Sequence, residues 1–468
     1  MDKIYADINE LIDKLEIRNS QTISFHHHLR EGDKVMETVI AALSHREIRD
    51  LRLCCSSIMR CHDFLVDYVK NGTISRIETS GLRGELGRFI SEGNMDHPVI
   101  IRSHGGRARA VSDGERKIDV AFIAASNADE LGNATGIIGK NAFGSLGYGI
   151  WEARNAEKTV IVTDDLSSAV LEQISISQSE TDAILLVEQI GVSGKIKSGA
   201  LKIKSDPLTM RIAENTARFL MNCGIELNNR AIQMGSGGIS LQTMNYLKSH
   251  LIEKEITFKF AVGGITENLT GLLEEGFVDS LMDVQSFDSC CAASMATNRN
   301  HHEVDVNTYA NPLNPNNLVN SLDIAILSAL EIDLDWNVNV MTGSDGKFMG
   351  AVGGHQDVAE GSDLTIIVAP LIRGRIPVLT NRVNTLVTKG KDIDVFICEY
   401  GICVKEENES LIRTLSDNGF KVHTLKELYE KTVRYVGSPA KPEYADKTTA
   451  IVQDRYGNTL SEIKLLLK

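Results

Sequence analysis

Arginines cluster in two short stretches of the first half of the chain. SGLRGELGR (80–88) holds Arg83 and Arg88, and VIIRSHGGRARAV (99–111) holds Arg102, Arg107 and Arg109 around His104. The second stretch reads as an apolar strand running into a glycine loop, which sets His104 and Arg107 at a strand end. A guanidinium offers a planar fork of donors that matches a carboxylate in bidentate fashion, so this concentration suits a di- or tricarboxylate. Arg88 and Arg109 taken singly read equally well as solvated ion-pair residues; Arg83 and the Arg102–Arg107 loop, with His104, are assigned to substrate binding.

The second half contributes backbone instead of charge. Glycines cluster at three strand ends: Gly235, Gly237 and Gly238 in GSGG, Gly263 and Gly264 in AVGGIT, and Gly353 and Gly354 in GAVGGHQD. Glycine lets a backbone approach a ligand and aim N–H groups at an oxyanion or phosphate. Any one cluster also serves as a plain tight turn; three in one half point to a nucleotide-like or thioester-bearing ligand. No GxxxxGK[ST] phosphate loop and no GxSxG nucleophile elbow occurs. Glu267, directly after AVGGIT, has two readings that stay open: a nucleophile toward a thioester, or a helix-N-terminal carboxylate held by the dipole. His26, His27 and His28 follow an apolar strand. Consecutive strand residues alternate faces, so one or two of them reach a cleft, His27 among them, and the three do not converge on a metal.

The elements that must position these loops occur twice. LVDYVKNGTISRI (65–77) and LTGLLEEGFVDSL (269–281) share apolar positions at an offset of 204 residues, and each reads as a helix closed by a C-cap glycine before a strand. IDVAFIAASNADELGN (118–133) and LDIAILSALEIDLDWN (322–337) recur at the same offset, matching Asp129 with Asp333 and Asn133 with Asn337. GSLGYG pairs with GAVGGH, and TISFHHHLREGD (22–33) with AIQMGSGGISLQ (231–242). Four matches in one order imply duplication. The expected fold is α/β, two tandem similar domains, each a mainly parallel sheet flanked by helices. The domains are 1–215, with the cationic loops, and 216–468, with the glycine loops; SDPLTMRIAENTARFLMNCG opens the second copy. Ligands of such sheets bind beyond the strand C-termini, so the loops of the two copies should face each other across a cleft.

Bulk properties narrow the classes. A chain of 468 residues suits two or three domains, and a net charge of −14 argues against a nucleic-acid partner. The eight cysteines form no CxxC pair or disulfide framework, and no run of about 18 apolar residues suggests a membrane span, so a reducing cytoplasmic location is expected.

TISFHHHLREGD, TSGLRGEL, IRSHGGRARA, GSGG, VGGIT, DVQSFD, SALEIDLDWNVNVMTGSDG, GGHQD and TIIVAPLIRGRIP, taken in order, resemble the alpha subunit of citrate lyase, a branch of the coenzyme A transferase superfamily. The blocks span residues 20–377, and the segment from IDVFICEYGICV onward fits as well. The resemblance implies a transferase that exchanges acetate for citrate on the thioester of an acyl carrier protein, with acetyl-CoA as a surrogate. It implies beta (citryl lyase) and gamma (carrier) partners, a homo-oligomer within a larger complex, and a phosphoribosyl-dephospho-CoA arm on the carrier with no cofactor bound covalently to this chain. Acyl transfer is then expected through a mixed anhydride, with no protein carboxylate acylated. Citrate would lie on Arg102, His104, Arg107 and a histidine of 26–28, the oxyanion on Gly353 and Gly354, and the carrier arm on GSGG. The competing readings are a citramalate lyase alpha subunit, a ping-pong coenzyme A transferase using Glu267, and a small-anion sensor on the same fold.

Overall fold

The computed structural model describes residues 3–197, 206–235 and 237–467. Segments apolar at consecutive positions become central strands, because a parallel sheet must be covered on both faces. Ile118–Ala125 is the clearest case: it is almost wholly buried and pairs in parallel with Thr22–Phe25 on one side and Ala156–Thr163 on the other.

The first sheet runs in the order Ile4–Tyr5, Ala183–Leu186, Ala156–Thr163, Ile118–Ala125, Thr22–Phe25, Leu51–Cys55, Ile74–Thr79, Val99–Ile101. The second, inside an edge made by Val422–His423 and Gly401–Val404, runs Val395–Cys398, Leu364–Val368, Ile324–Ser328, Ala231–Met234, Phe260–Ile265, Leu281–Ser286, His301–Glu303. From Ala183–Leu186 onward the two orders correspond strand for strand, which is the expected duplication. The matched loops agree in detail. Asp129 Oδ1 accepts the amides of Leu131 and Asn133 at 3.0 Å each, and Asp333 Oδ1 accepts those of Asp335 and Asn337 at 3.0 and 2.9 Å. Both expected C-cap glycines, Gly72 and Gly276, adopt left-handed φ of 79° and 81°.

The packing departs from a single cut at residue 215 in two ways. The helix Pro207–Asn222 is capped by Asp206, which accepts from Thr209 N at 3.0 Å, and its Ile212 and Phe219 lie in the second core. The helix therefore belongs whole to the second copy. At the other end the hairpin Tyr444–Gln453 and Thr459–Leu466 returns to the first sheet, setting Ala450 against Val99 and Val452 against Ile101. An edge strand left bare would offer unpaired amides, and the hairpin covers that edge.

Two contacts lock the copies together. Gly81 and Ala351 form an antiparallel bridge, flanked by Val352 N donating to Ser80 O at 2.7 Å and Leu82 N to Gly350 O at 3.2 Å. Nearby, the buried carboxylate of Asp357 accepts from Ser103 Oγ at 2.8 Å and from Gly105 N at 2.9 Å. It thus caps the helix His104–Ser112, which belongs to the other copy. Gly105 must be glycine, since a Cβ there would stand 2.1 Å from Ala310 O and 2.6 Å from Asp357 Oδ1. Arg455, from the turn of the C-terminal hairpin, completes the joint with Nη2 on Ala310 O at 3.0 Å and Nε 3.7 Å from Asp357 Oδ1. Replacing Asp357 with alanine leaves the buried Arg455 guanidinium uncompensated. The expected loss is about 3 kcal/mol of unfolding free energy, measured by denaturant titration; a loss below about 1 kcal/mol would contradict this assignment.

Candidate active site

The strand-end loops of both copies face one cavity of about 710 Å³. His27 follows the strand Thr22–Phe25. Its amide donates to Ser56 Oγ at 3.0 Å, its Nδ1 lies 2.6 Å from the same oxygen, and its carbonyl accepts from Gln285 Nε2 of the other copy at 2.9 Å. Those bonds fix the ring and leave Nε2 to the cavity. His104 begins its helix with its amide on Gly353 O at 2.9 Å and its ring against Tyr148, centroids 4.5 Å apart. Burial, reinforced by Arg107, lowers the His104 pKa to about 3. Burial, with His104 and Arg30 adding to it, holds His27 well below its ordinary value. Both imidazoles are therefore neutral at pH 7.

Three guanidiniums line the cavity, Arg30 and Arg83 near the histidines and Arg373 at the rim. Arg30 holds a left-handed φ of 51°, rare for a side chain of this size, and lays its guanidinium over the Phe287 ring 4.7 Å from the centroid. Burial, then the neighbouring Arg83, pushes its pKa down to about 10, so it stays charged at neutral pH. Arg83 places Nη1 3.1 Å from Met59 Sδ, and burial lowers its pKa too. Neither guanidinium forms an ion pair among the described residues. Two cations in a cavity with neutral histidines leave a strong demand for an anion.

Arg102 and Arg107, expected here, lie elsewhere. Arg102 pairs with Glu115 at 2.6 Å and Glu78 at 3.4 Å. Arg107 is buried under the sheet, paired with Glu152 and donating to Ser24 Oγ at 3.0 Å and Cys54 O at 3.2 Å. The cause is local: the helix starts at His104, so Arg107 lies on the same face one turn deeper, where Glu152, Ser24 and Cys54 take up its guanidinium. Arg109 is held by Asp113 and Glu115, and Arg88 by Glu85. Glu267 opens the helix Glu267–Glu274; its side chain is 66% exposed, pairs with Lys197 at 2.8 Å and does not line the cavity.

The glycine clusters divide by role. Gly353 takes a φ of 54°, and neither its N–H nor that of Gly354 donates to another described residue. Both line the cavity, an arrangement suited to an oxyanion. Gly237 precedes the 16-residue helix Gly238–Glu253, whose first turn lines the cavity. Gly235 also lines it, although its amide is used on Ile326 O at 2.7 Å. Gly263 and Gly264 serve packing: a Cβ would stand 2.5 Å from Gln233 Oε1 at the first and 2.1 Å from the Phe287 ring at the second, and only Gly264 reaches the cavity.

Sequence reasoning missed Arg30, Tyr148, Tyr309 and the rim residue Arg373, all of which line the cavity. Arg30 had a signal, since it closes the polar loop after the histidines; its partner ring lies 257 residues away in sequence. Of the triplet, only His27 lines the cavity, while the His26 and His28 rings meet at a tilt with centroids 4.4 Å apart. No group of three His, Cys, Asp or Glu side chains is placed to hold a metal, and no helix is long and apolar enough to cross a membrane, among the described residues.

A cleft between duplicated α/β sheets, lined by guanidiniums outside any ion pair and by glycine amides without a partner among the described residues, is the site of a transferase. Malonate decarboxylase alpha subunit from Acinetobacter baumannii shares the fold at a TM-score of 0.68 and 15% identity, over 94% of this chain and 90% of that one. The family described as "Citrate lyase, alpha subunit (CitF)" matches residues 1–466. The citrate lyase alpha chain of Klebsiella pneumoniae is 41% identical over 462 residues, 99% of this chain and 91% of the relative. That of Escherichia coli K12 is 40% identical over 461 residues, 98% and 90%. A crystal structure from Streptococcus mutans, of a citrate lyase alpha subunit in complex with citrate, superposes at a TM-score of 0.97 with 42% identity, covering 100% of this chain and 92% of that one. The chain belongs to the citrate lyase alpha-subunit family, whose activity is citrate:acetyl-carrier transfer within a multi-subunit complex.

Two outcomes follow. Arg107→Met leaves Glu152 buried without its cation and should lower stability by about 3–5 kcal/mol in chemical unfolding; an unchanged midpoint would return Arg107 to the candidate ligands. His104, His27 and His26 have folded pKa values below the 6.5 of an unfolded histidine. As pH falls below about 6.5 the unfolded chain binds protons first, so their contribution, fully present above 6.5, is lost on the way toward pH 3. Imidazole NMR titration should find His104 neutral at pH 5; protonation near pH 6.5 would contradict the burial.

Proposed function

We propose that this chain catalyses exchange of acetate for citrate on an acyl-carrier thioester inside this cleft. The observation that carries the reading is that two guanidiniums outside any ion pair, Arg30 and Arg83, and two amides without a partner among the described residues, Gly353 and Gly354, line one cavity. Citrate carboxylates lie on Arg30 and Arg83, with His27 Nε2 and His104 Nε2 as neutral hydrogen-bonding groups. Holding one carboxylate against the thioester turns a bimolecular encounter into an intramolecular one, an advantage of about 7–11 kcal/mol at best.

A citrate carboxylate oxygen attacks the acetyl carbonyl, and the tetrahedral oxyanion rests on the Gly353 and Gly354 amides. Collapse expels the carrier thiolate and leaves an acetyl–citryl mixed anhydride. The thiolate then attacks the citryl carbonyl, releasing acetate and leaving citryl-carrier. The scheme needs no protein carboxylate, consistent with Glu267 lying outside the cavity. The phosphoribosyl-dephospho-CoA arm of the gamma subunit enters past Gly235, Gly237 and the first turn of Gly238–Glu253, with Arg373 at the rim. The beta subunit takes the citryl-carrier product.

The test is acetate release from acetyl-CoA on addition of citrate. Release should require citrate and be matched by citryl thioester; release without citrate, or none with it, would sink the reading. Arg30→Met and Arg83→Met should each raise half-saturating citrate at least about tenfold, since a hydrogen bond to a charged group contributes about 1.5–3 kcal/mol. Glu267→Ala should retain turnover within twofold, and its inactivation would favour a covalent intermediate. Citramalate turned over faster than citrate would reassign the substrate.

A further inference from the structure

Tyr309 is a buried, titratable group that the scheme above does not use. It lies in the short helix Val306–Ala310, only 3% of its surface is exposed, and it lines the cavity. Its hydroxyl forms no hydrogen bond with another described residue, and its oxygen is not one of the fully buried unpartnered atoms, so a ligand in the cavity can reach it. Its position is tightly specified. A Cβ on Gly354 would stand 2.5 Å from Tyr309 Oη and 3.3 Å from Cζ, so the hydroxyl sits on the peptide whose amide faces the cavity. Gly354 has a φ of −96°, open to any residue. It is glycine because the tyrosine occupies its side-chain space.

The surroundings keep the phenol in its donor form. Burial, and then the Asp357 carboxylate, drives its pKa far above the ordinary value, with Arg455 opposing. Tyr148, the other tyrosine of the cavity, stacks on His27, meets His104 at a tilt and is not pressed against Gly354.

We infer that the Tyr309 hydroxyl is a third donor to the reacting carbonyl oxygen, completing with the Gly353 and Gly354 amides an oxyanion hole for both acyl-transfer steps. Its proton stays on the tyrosine throughout; the bond to the oxyanion shortens as charge develops and relaxes on collapse. This rests on the cleft being the site of acyl exchange. A donor fixed at the position of the developing oxyanion acts on the transition state more than on the ground state, so its loss appears in kcat and not in KM.

The experiment uses full-length protein with acetyl-CoA and citrate. Wild-type enzyme must first release acetate in response to citrate, and failure there removes the functional reading itself, not this residue. Tyr309→Phe should lower kcat by roughly 100-fold, with KM for citrate and acetyl-CoA within twofold and calorimetric citrate affinity unchanged. If kcat stays within twofold, or the loss lies in KM, the inference is overturned. Gly354→Ala guards against misfolding of the first variant. In the wild-type background its methyl displaces the hydroxyl and lowers kcat, whereas in Tyr309→Phe it should add less than threefold. Independent, multiplicative losses would show that the hydroxyl and the loop do not act as one unit.

Discussion

The carboxylate of Asp357 joins the two copies at the place where the chemistry is set. It lies in the loop-and-helix segment that also carries Gly353 and Gly354, and it caps the helix of the other copy that begins at His104. Amide donors from one half and an imidazole from the other are thereby held in one frame. The His104 amide on Gly353 O and the bridge between Gly81 and Ala351 repeat the connection on either side. Capping a helix N-terminus with an anion is favourable in any setting. Here the anion is also buried and bound to Arg455, so separating the copies would expose several polar groups with no partners.

That joint explains why the C-terminal hairpin crosses to the first sheet. Its turn delivers Arg455 to Asp357 and Ala310, and its strand covers the edge at Val99–Ile101. Duplication supplies two similar sheets. The hairpin and the cap make them one cleft, in which unlike loops meet. The first copy presents Arg30 and Arg83 outside any ion pair among the described residues, with only Glu31 acting on them from a distance, while Arg102, Arg107 and Arg109 are held in ion pairs. The second presents backbone. In a chain of net charge −14, the local positive character of this cleft comes from Arg30, Arg83 and Arg373 standing outside ion pairs among the described residues, not from an abundance of arginine.

The fold was largely legible in the residues, because apolar runs and capping glycines report local structure, and the offset of 204 residues reports duplication. The strand order then follows from one copy being a template for the other. The return of residues 444–466 was not legible, since their alternation marks a hairpin without naming its neighbour. The site residues were legible as loop types, not as contacts. His27, Arg83, His104, Gly353 and Gly354 meet in the cavity. Arg102 and Arg107 were misassigned because arginine type and loop position are the same for an ion-paired side chain and a free one. What separates them is Glu78, Glu115 and Glu152, and proximity to those is a tertiary property. Tyr309 gave no local signal at all; its significance rests on Gly354, 45 positions later, lacking a side chain.

The central claim is direct exchange between bound citrate and thioester, with no acylated protein carboxylate. Oxygen tracing in a single turnover addresses it most directly, with enzyme in excess over acetyl-CoA and the citrate carboxylates labelled with ¹⁸O. In the mixed-anhydride route the attacking citrate oxygen leaves with acetate, so the first acetate released should carry one ¹⁸O. Unlabelled acetate, with ¹⁸O later found in a protein carboxylate, would contradict the account.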